Sequence, residues 1–132
     1  MPKGGYDMKN EFAVRRCKSC GAIVRVMEDC ECACGIECCG EKMEMVKANS
    51  EDAAAEKHIP TYEIVDGRVM ITVNHVMEEN HYIEWIAIVR ENYEKIIYFQ
   101  PGDEPKAHCR YIPGTKIYAW CNKHLLWVKE VE

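Results

Sequence analysis

The sequence contains no long apolar run and no excess of positive charge. No stretch of about 18 apolar residues occurs, so no membrane-spanning helix is expected. The first residues, Met1-Pro2-Lys3-Gly4-Gly5-Tyr6, lack the apolar core of an export signal, so a cytoplasmic location is expected. Lys and Arg number 17 against 22 Asp and Glu, a formal net charge of -5. That balance argues against nucleic acid as the main partner, which would require a basic face. Internal repeats and low-complexity segments are also missing. A length of 132 residues suits one domain, or a very small one joined to an ordinary one. The 48% hydrophobic and 30% charged residues suffice for a core and a solvated surface.

Cysteine is the residue in excess, with nine. In an exported chain this would suggest disulfides, but without an export signal a clustered, odd set points to metal. Seven lie between residues 11 and 48. Cys17-Lys18-Ser19-Cys20-Gly21 has the form of a metal knuckle, a tight turn aiming two thiolates at one ion. Ala22–Met27 reads as a strand, and Cys38-Cys39-Gly40 adds two thiols. A four-thiolate site from Cys17, Cys20, Cys38 and Cys39 follows, holding structural zinc or rubredoxin-like iron. So short a segment buries little core, so the metal would supply much of its folding free energy. Cys30, Cys32 and Cys34 exceed that site's needs. They are free, pair on oxidation, or recruit an iron–sulfur cluster instead.

Residues 1–10 read as a flexible lead. Residues 49–57 read as a linker with a short helical turn, capped by Asn49 or Ser50 and favoured by Ala53-Ala54-Ala55. Pro60 keeps Ile59 extended and ends any helix. From Thr61 the pattern is β. Tyr62–Val65 and Arg68–Val73 flank Asp66-Gly67, a two-residue hairpin signal. Further strands are expected at His81–Val89, Lys95–Phe99, Ala107–Ile112, Thr115–Cys121 and Leu125–Val131, with Ile117, Ala119 and Cys121 on one face. Many short strands with regular turns indicate an antiparallel sandwich.

The stretch Trp120–Trp127 puts a thiol, Cys121, and an imidazole, His124, three residues apart. His58, His75 and His81 lie upstream. Loops at one end of a sandwich converge, so these five side chains could meet on one metal. Iron accepts mixed imidazole and thiolate ligands, and five ligands leave one octahedral position open. His108 and Cys109, in a strand, are expected to have surface or packing roles.

At these residues the chain resembles the superoxide reductase family. The matching motifs are Glu56-Lys57-His58-x-Pro60, His75-x-Met77-x-x-x-His81-Tyr82-Ile83-x-Trp85-Ile86, Pro101-Gly102-Asp103-Glu104-Pro105 and Cys121-Asn122-x-His124-x-x-Trp127. Cys17-x-x-Cys20 with Cys38-Cys39-Gly40 resembles desulforedoxin, and the two parts together resemble desulfoferrodoxin over residues 11–130. The resemblance implies a desulforedoxin-like domain at 1–48 and an immunoglobulin-like β-sandwich at 49–132. It implies a mononuclear iron with His58, His75, His81 and His124 equatorial and Cys121 axial. It implies Glu56 as the carboxylate that occupies the sixth position when the iron is oxidised, Lys57 beside the open site, and a second iron on the four N-terminal cysteines. The implied activity is one-electron reduction of superoxide to hydrogen peroxide, with re-reduction by a rubredoxin-like donor, in a homodimer. Three departures stand out: Val76 where the family usually has proline, Leu125 where it often has glycine, and a longer gap from Cys20 to Cys38. Competing expectations are a non-catalytic iron electron-transfer protein, a zinc-stapled interaction domain and a dismutase.

Overall fold

The computed structural model describes residues 12–30 and 35–132. Residues 1–11 and 31–34 lie outside the described residues, so the expected flexible lead and two of the extra thiols, Cys32 and Cys34, do too. The chain divides into two compact units, the first ending at Val46 and the second Lys47–Glu132.

In the first unit β1 (Ala13–Arg16) pairs antiparallel with β2 (Ile23–Val26) and with β5 (Glu44–Met45). β3 (Glu37–Cys38) and β4 (Glu41–Lys42) form a separate ribbon. Cys38 pairs with Glu41, so Cys39-Gly40 is a two-residue turn with φ of 55° and 75°. Positive φ at both positions is the type I′ geometry that matches strand twist. Only a few apolar side chains are buried here, among them Phe12, Val14, Val26 and Met43. That is a small core for an independent fold.

The second unit is an antiparallel sandwich of seven strands among the described residues. One sheet has the order β10 (Lys106–Arg110), β7 (Arg68–Thr72), β6 (Thr61–Val65). The other has the order β12 (Leu125–Glu130), β11 (Lys116–Cys121), β8 (Ile83–Arg90), β9 (Tyr93–Tyr98). This is the immunoglobulin-like arrangement of two packed sheets. Asp66 and Gly67 have φ of 50° and 77° between the paired Val65 and Arg68, as the hairpin signal requires. Inward-facing residues alternate: Val69, Ile71 and Val73 from one sheet meet Ile86, Ile88, Ile117, Ala119 and Cys121 from the other. Cys109 joins this core, and His108 stands exposed on the outer face.

Two expectations need correction. Neither Asn49 nor Ser50 caps a helix. The only helical turn among the described residues is the 3₁₀ segment Ala55–Lys57, whose N-cap is Ala54, with no side-chain cap bond. Asn49 sits at φ 59° and bonds to β12 instead. Its N–H donates to the Leu126 carbonyl at 2.9 Å, and its Oδ1 accepts from the Val128 amide at 2.9 Å. Backbone groups on an edge strand need partners, and an Asn side chain mimics a strand residue in supplying them. Second, the strand expected at His81–Val89 runs from Ile83 to Arg90, and its faces do not simply alternate. Trp120 pairs with Trp85, but Cys121 pairs with Ile83, so Glu84 is an extra residue in a bulge. The bulge resets the pleat, so that Ile83 and Ile86 both join the core. It lies beside Cys121, at the end of the sandwich where the histidines gather.

Ile86 is fully buried next to this bulge. Ile86→Ala is expected to lower unfolding free energy by about 2–5 kcal/mol, a lost side chain plus a cavity. Urea unfolding of the parent and variant checks this, and a loss below ~1 kcal/mol would show that the bulge repacks freely.

Candidate metal centres

In the first unit the sulfurs of Cys17, Cys20, Cys38 and Cys39 all lie within 4.8 Å of one another. The arrangement is local. The Gly21 amide donates to the Cys17 carbonyl and the Cys17 amide to the Ala22 carbonyl, both at 2.9 Å, closing the first knuckle with Gly21 at φ 79°. The Cys39-Gly40 turn closes the second. Cys20 and Cys38 sulfurs are 3.7 Å apart, and Cys38 and Cys39 sulfurs 3.9 Å. The Cys20 backbone amide draws the Cys17 thiol down to about 7. The Cys20, Cys17 and Cys39 sulfurs around Cys38 push that thiol up to about 12. Metal-free, the cluster thus favours one thiolate shared among neighbouring thiols. A cation would displace the remaining protons. Cys30 is exposed, and its amide donates to Asp29 Oδ1 at 2.9 Å.

In the second unit four imidazoles form a closed ring. Neighbouring ring centroids are 4.7 Å apart for His58 and His75, and 4.6 Å for His75 and His81. The ring closes with 5.3 Å for His81 and His124 and 4.9 Å for His124 and His58. Each pair is edge to face, at 69–88°. The Cys121 sulfur approaches His75 Nε2 at 3.4 Å and His124 Nδ1 at 3.9 Å. His58, His81, Cys121 and His124 offer donor atoms within 4.8 Å of one another. His75 falls outside that tightest group, although its ring belongs to the square and its Nε2 faces the sulfur.

The surroundings set which ring nitrogen is free. His58 Nδ1 lies 2.7 Å from the Ala54 carbonyl, and His75 Nδ1 2.5 Å from the Val76 carbonyl. Donating there leaves each Nε2 as an acceptor pointed at the centre, the tautomer selection that metal-ligating histidines use. Proline at position 76 would offer the same carbonyl, so Val76 costs the site nothing in this respect. The His81 Nε2 is buried with no hydrogen-bond partner. An orphaned, buried acceptor costs free energy unless something occupies it. A cation at the centre of the square removes that cost, so the residues fit a metal. Both this donor set and the four-thiolate set are suited to iron.

Two side chains that the sequence offers only as motif positions, without a role, position the site. Asn122 accepts the Tyr82 amide at 3.0 Å and donates to the Asn80 carbonyl at 3.0 Å. It thereby ties the His81 loop to the Cys121 turn. Trp127 stacks on the His58 ring at 4.8 Å, and its Nε1 donates to the His124 carbonyl at 2.9 Å. The signal was present in the Cys121-Asn122-x-His124-x-x-Trp127 spacing, but the partners lie up to 69 positions away in sequence. Leu125 follows His124 at φ 64°, a left-handed conformation that glycine adopts more cheaply. Glu56 and Lys57 lie on the exposed 3₁₀ turn just before the buried His58. Glu56 lines an open groove of about 650 Å³ together with Tyr62, Asn74 and Lys129.

Burial is the main cause that lowers His75 and His81 below the ordinary histidine value of 6.5, with the neighbouring imidazoles adding repulsion. Burial also raises the Cys121 thiol, although the Lys123 and His124 amides oppose it. The His124 amide donates to that sulfur at 3.3 Å. Because His75 and His81 have depressed values in the folded state, the unfolded chain binds more protons below pH 6.5. Stability is therefore full above 6.5 and lost as pH falls through the folded values. Metal-free protein is expected to melt at lower temperature at pH 5.5 than at 7.5. The difference should shrink in the His75→Gln/His81→Gln variant. Equal pH slopes in parent and variant would sink this account.

The Desulfoferrodoxin family model matches residues 50–130. A desulfoferrodoxin of Nitratidesulfovibrio vulgaris is 37% identical over 131 residues, covering 93% of this chain and 99% of that protein. A desulfoferrodoxin of Syntrophotalea carbinolica is 35% identical over 127 residues, covering 93% and 99%. Among solved structures, the superoxide reductase of Treponema pallidum aligns with a TM-score of 0.63 over 83% of this chain and 93% of its own, at 23% identity, a likeness of fold. A superoxide reductase (1Fe-SOR) of Giardia intestinalis aligns with a TM-score of 0.51 over 58% of this chain and 98% of its own, at 29% identity. Matched through its sandwich by the family model and along nearly its whole length by these relatives, the chain belongs to the desulfoferrodoxin family.

Proposed function

We propose that this protein is a superoxide reductase, an oxidoreductase that delivers one electron and two protons to superoxide and releases hydrogen peroxide. The observation that carries the reading is the closed square of four imidazoles with one thiol against it. Five such donors suit iron and leave a sixth position open. We assign His58, His75, His81, His124 and Cys121 as the residues that would hold the iron. Bound iron would supply the electron.

The other residues act on charge and protons. Superoxide is an anion, and the protein carries a net charge of -5. A local cation outweighs that total at short range, and Lys57, exposed one residue before His58, is assigned to provide it. Glu56 is assigned as the carboxylate that would bind the iron when it is oxidised. The His124 amide on the Cys121 sulfur stabilises its thiolate form. Cys17, Cys20, Cys38 and Cys39 are assigned to a second iron, within a domain spanning residues 1–48 that precedes in sequence the sandwich domain at 49–132. We assign a rubredoxin-like protein as electron donor, a homodimer as the assembly and the cytoplasm as the location.

The first test is spectroscopic and kinetic. Oxidised iron-loaded protein should show a thiolate-to-ferric band that disappears in Cys121→Ser. Reduced protein should yield about one peroxide per superoxide, where a dismutase yields about half by stoichiometry. A parent spectrum unchanged by Cys121→Ser would end the reductase reading. At low salt Lys57→Ala should slow the bimolecular reaction roughly tenfold, the low end of electrostatic steering. Glu56→Ala should leave that rate nearly intact and alter only the resting ferric spectrum. Stopped-flow mixing with superoxide distinguishes these, and an unaffected Lys57→Ala rate would remove Lys57 from the mechanism.

A further inference from the structure

The outward face of the β10-β7-β6 sheet is built from three rungs. Register places Thr61, Thr72 and Lys106 on one rung, Glu63, Met70 and His108 on the next, and Val65, Arg68 and Arg110 on the third. Eight of these nine residues are exposed, and Thr72 is half-buried. Met70 and Val65 are large apolar side chains at 42% and 48% exposure. Among the nine, Lys106, Arg68 and Arg110 stand against one acid, Glu63. Lys106 Nζ lies 3.4 Å from Glu104, an exposed pair of small energetic weight. Arg68 Nη2 donates to His108 Nδ1 at 2.7 Å, which holds the guanidinium over the face. A face with three bases to one acid and Met70 at its centre is conspicuous on a chain whose net charge is -5.

We propose that this face is the docking surface for an acidic one-electron donor protein. The proposal rests on the reductase reading, which requires an outside donor after each turnover. Three observations select this occupant. Charge complementarity is the first: an acidic partner is repelled by the protein as a whole and attracted here, which orients the encounter. Proximity to the metal centre is the second. Thr61 lies three residues after His58 and Thr72 three residues before His75, so the first rung is within about 11 Å of two ligands along the backbone. Size is the third, since three short strands around the exposed Met70 match the small, transient interfaces of redox encounters.

The test uses the iron-loaded full chain, with reduced rubredoxin as the acidic probe and ascorbate as a small reductant. Stopped-flow mixing of ferric protein with rubredoxin should give a rate that falls as salt is raised. Arg68→Glu/Arg110→Glu should reduce that rate roughly tenfold at low salt and flatten its salt dependence. Arg68→Lys/Arg110→Lys should restore most of it. Reduction by ascorbate and the reaction of reduced protein with superoxide should stay unchanged in both variants. An unaltered rubredoxin rate in Arg68→Glu/Arg110→Glu overturns the proposal, as does a parent rate that rises with salt. So does a change in sedimentation of the glutamate variant, which would make the face a contact between copies. Failure of the reductase reading would appear elsewhere, as ascorbate-reduced parent that does not react with superoxide.

Discussion

Buried nitrogen and sulfur acceptors at one end of an apolar sandwich are the constraint on which this molecule turns. His58 is 4% exposed and Cys121 is fully buried, and the His81 Nε2 has no partner. Such groups cost free energy when left unsatisfied and raise the cost further when protonated, because four rings in contact would then repel. The fold accepts this cost by holding the outer nitrogens on backbone carbonyls at Ala54 and Val76 and aiming the inner ones together. A cation in the middle turns the same arrangement from a liability into a source of stability.

The two donor sets are assembled by different means. The four thiols of the first unit come from two tight turns, one closed at Gly21 and the other at the Cys39-Gly40 pair, all three residues at positive φ. Very little sequence separates the partners within each turn. The imidazole square draws on three stretches spread over the 66 positions from His58 to His124, and it exists because the sheets deliver their loops to one end. The first kind of site forms with local backbone geometry. The second forms only after the sandwich has packed.

This difference decides what could be read from the sequence. The Asp66-Gly67 hairpin, the inward set Ile117, Ala119 and Cys121, and the packing role of Cys109 follow from local rules, and the fold contains them. The sandwich class was legible for the same reason. The strands β1 and β3 to β5 were not, because they have two to four residues and carry no measurable alternation. Asn49 looked like a cap because local chemistry allows it, but pairing with β12 is available only in the folded chain. Asn122 and Trp127 gain their roles from partners on other elements, so their importance is tertiary. The histidines were recognisable by motif spacing, whereas their cyclic order around the centre belongs to the packed structure.

Leu125 has a consequence for portability. Its left-handed backbone goes against the preference of a leucine, by about 1–2 kcal/mol, yet it lies directly after His124 in the turn that presents both Cys121 and His124. The turn is therefore kept in shape by the β11–β12 ladder and by Trp127 rather than by its own residues. A peptide copied from this hairpin into another scaffold would relax away from that conformation and part the thiol from the imidazole. The hairpin cannot be transplanted as a self-contained cassette, and its ligand geometry is a property of the whole sandwich.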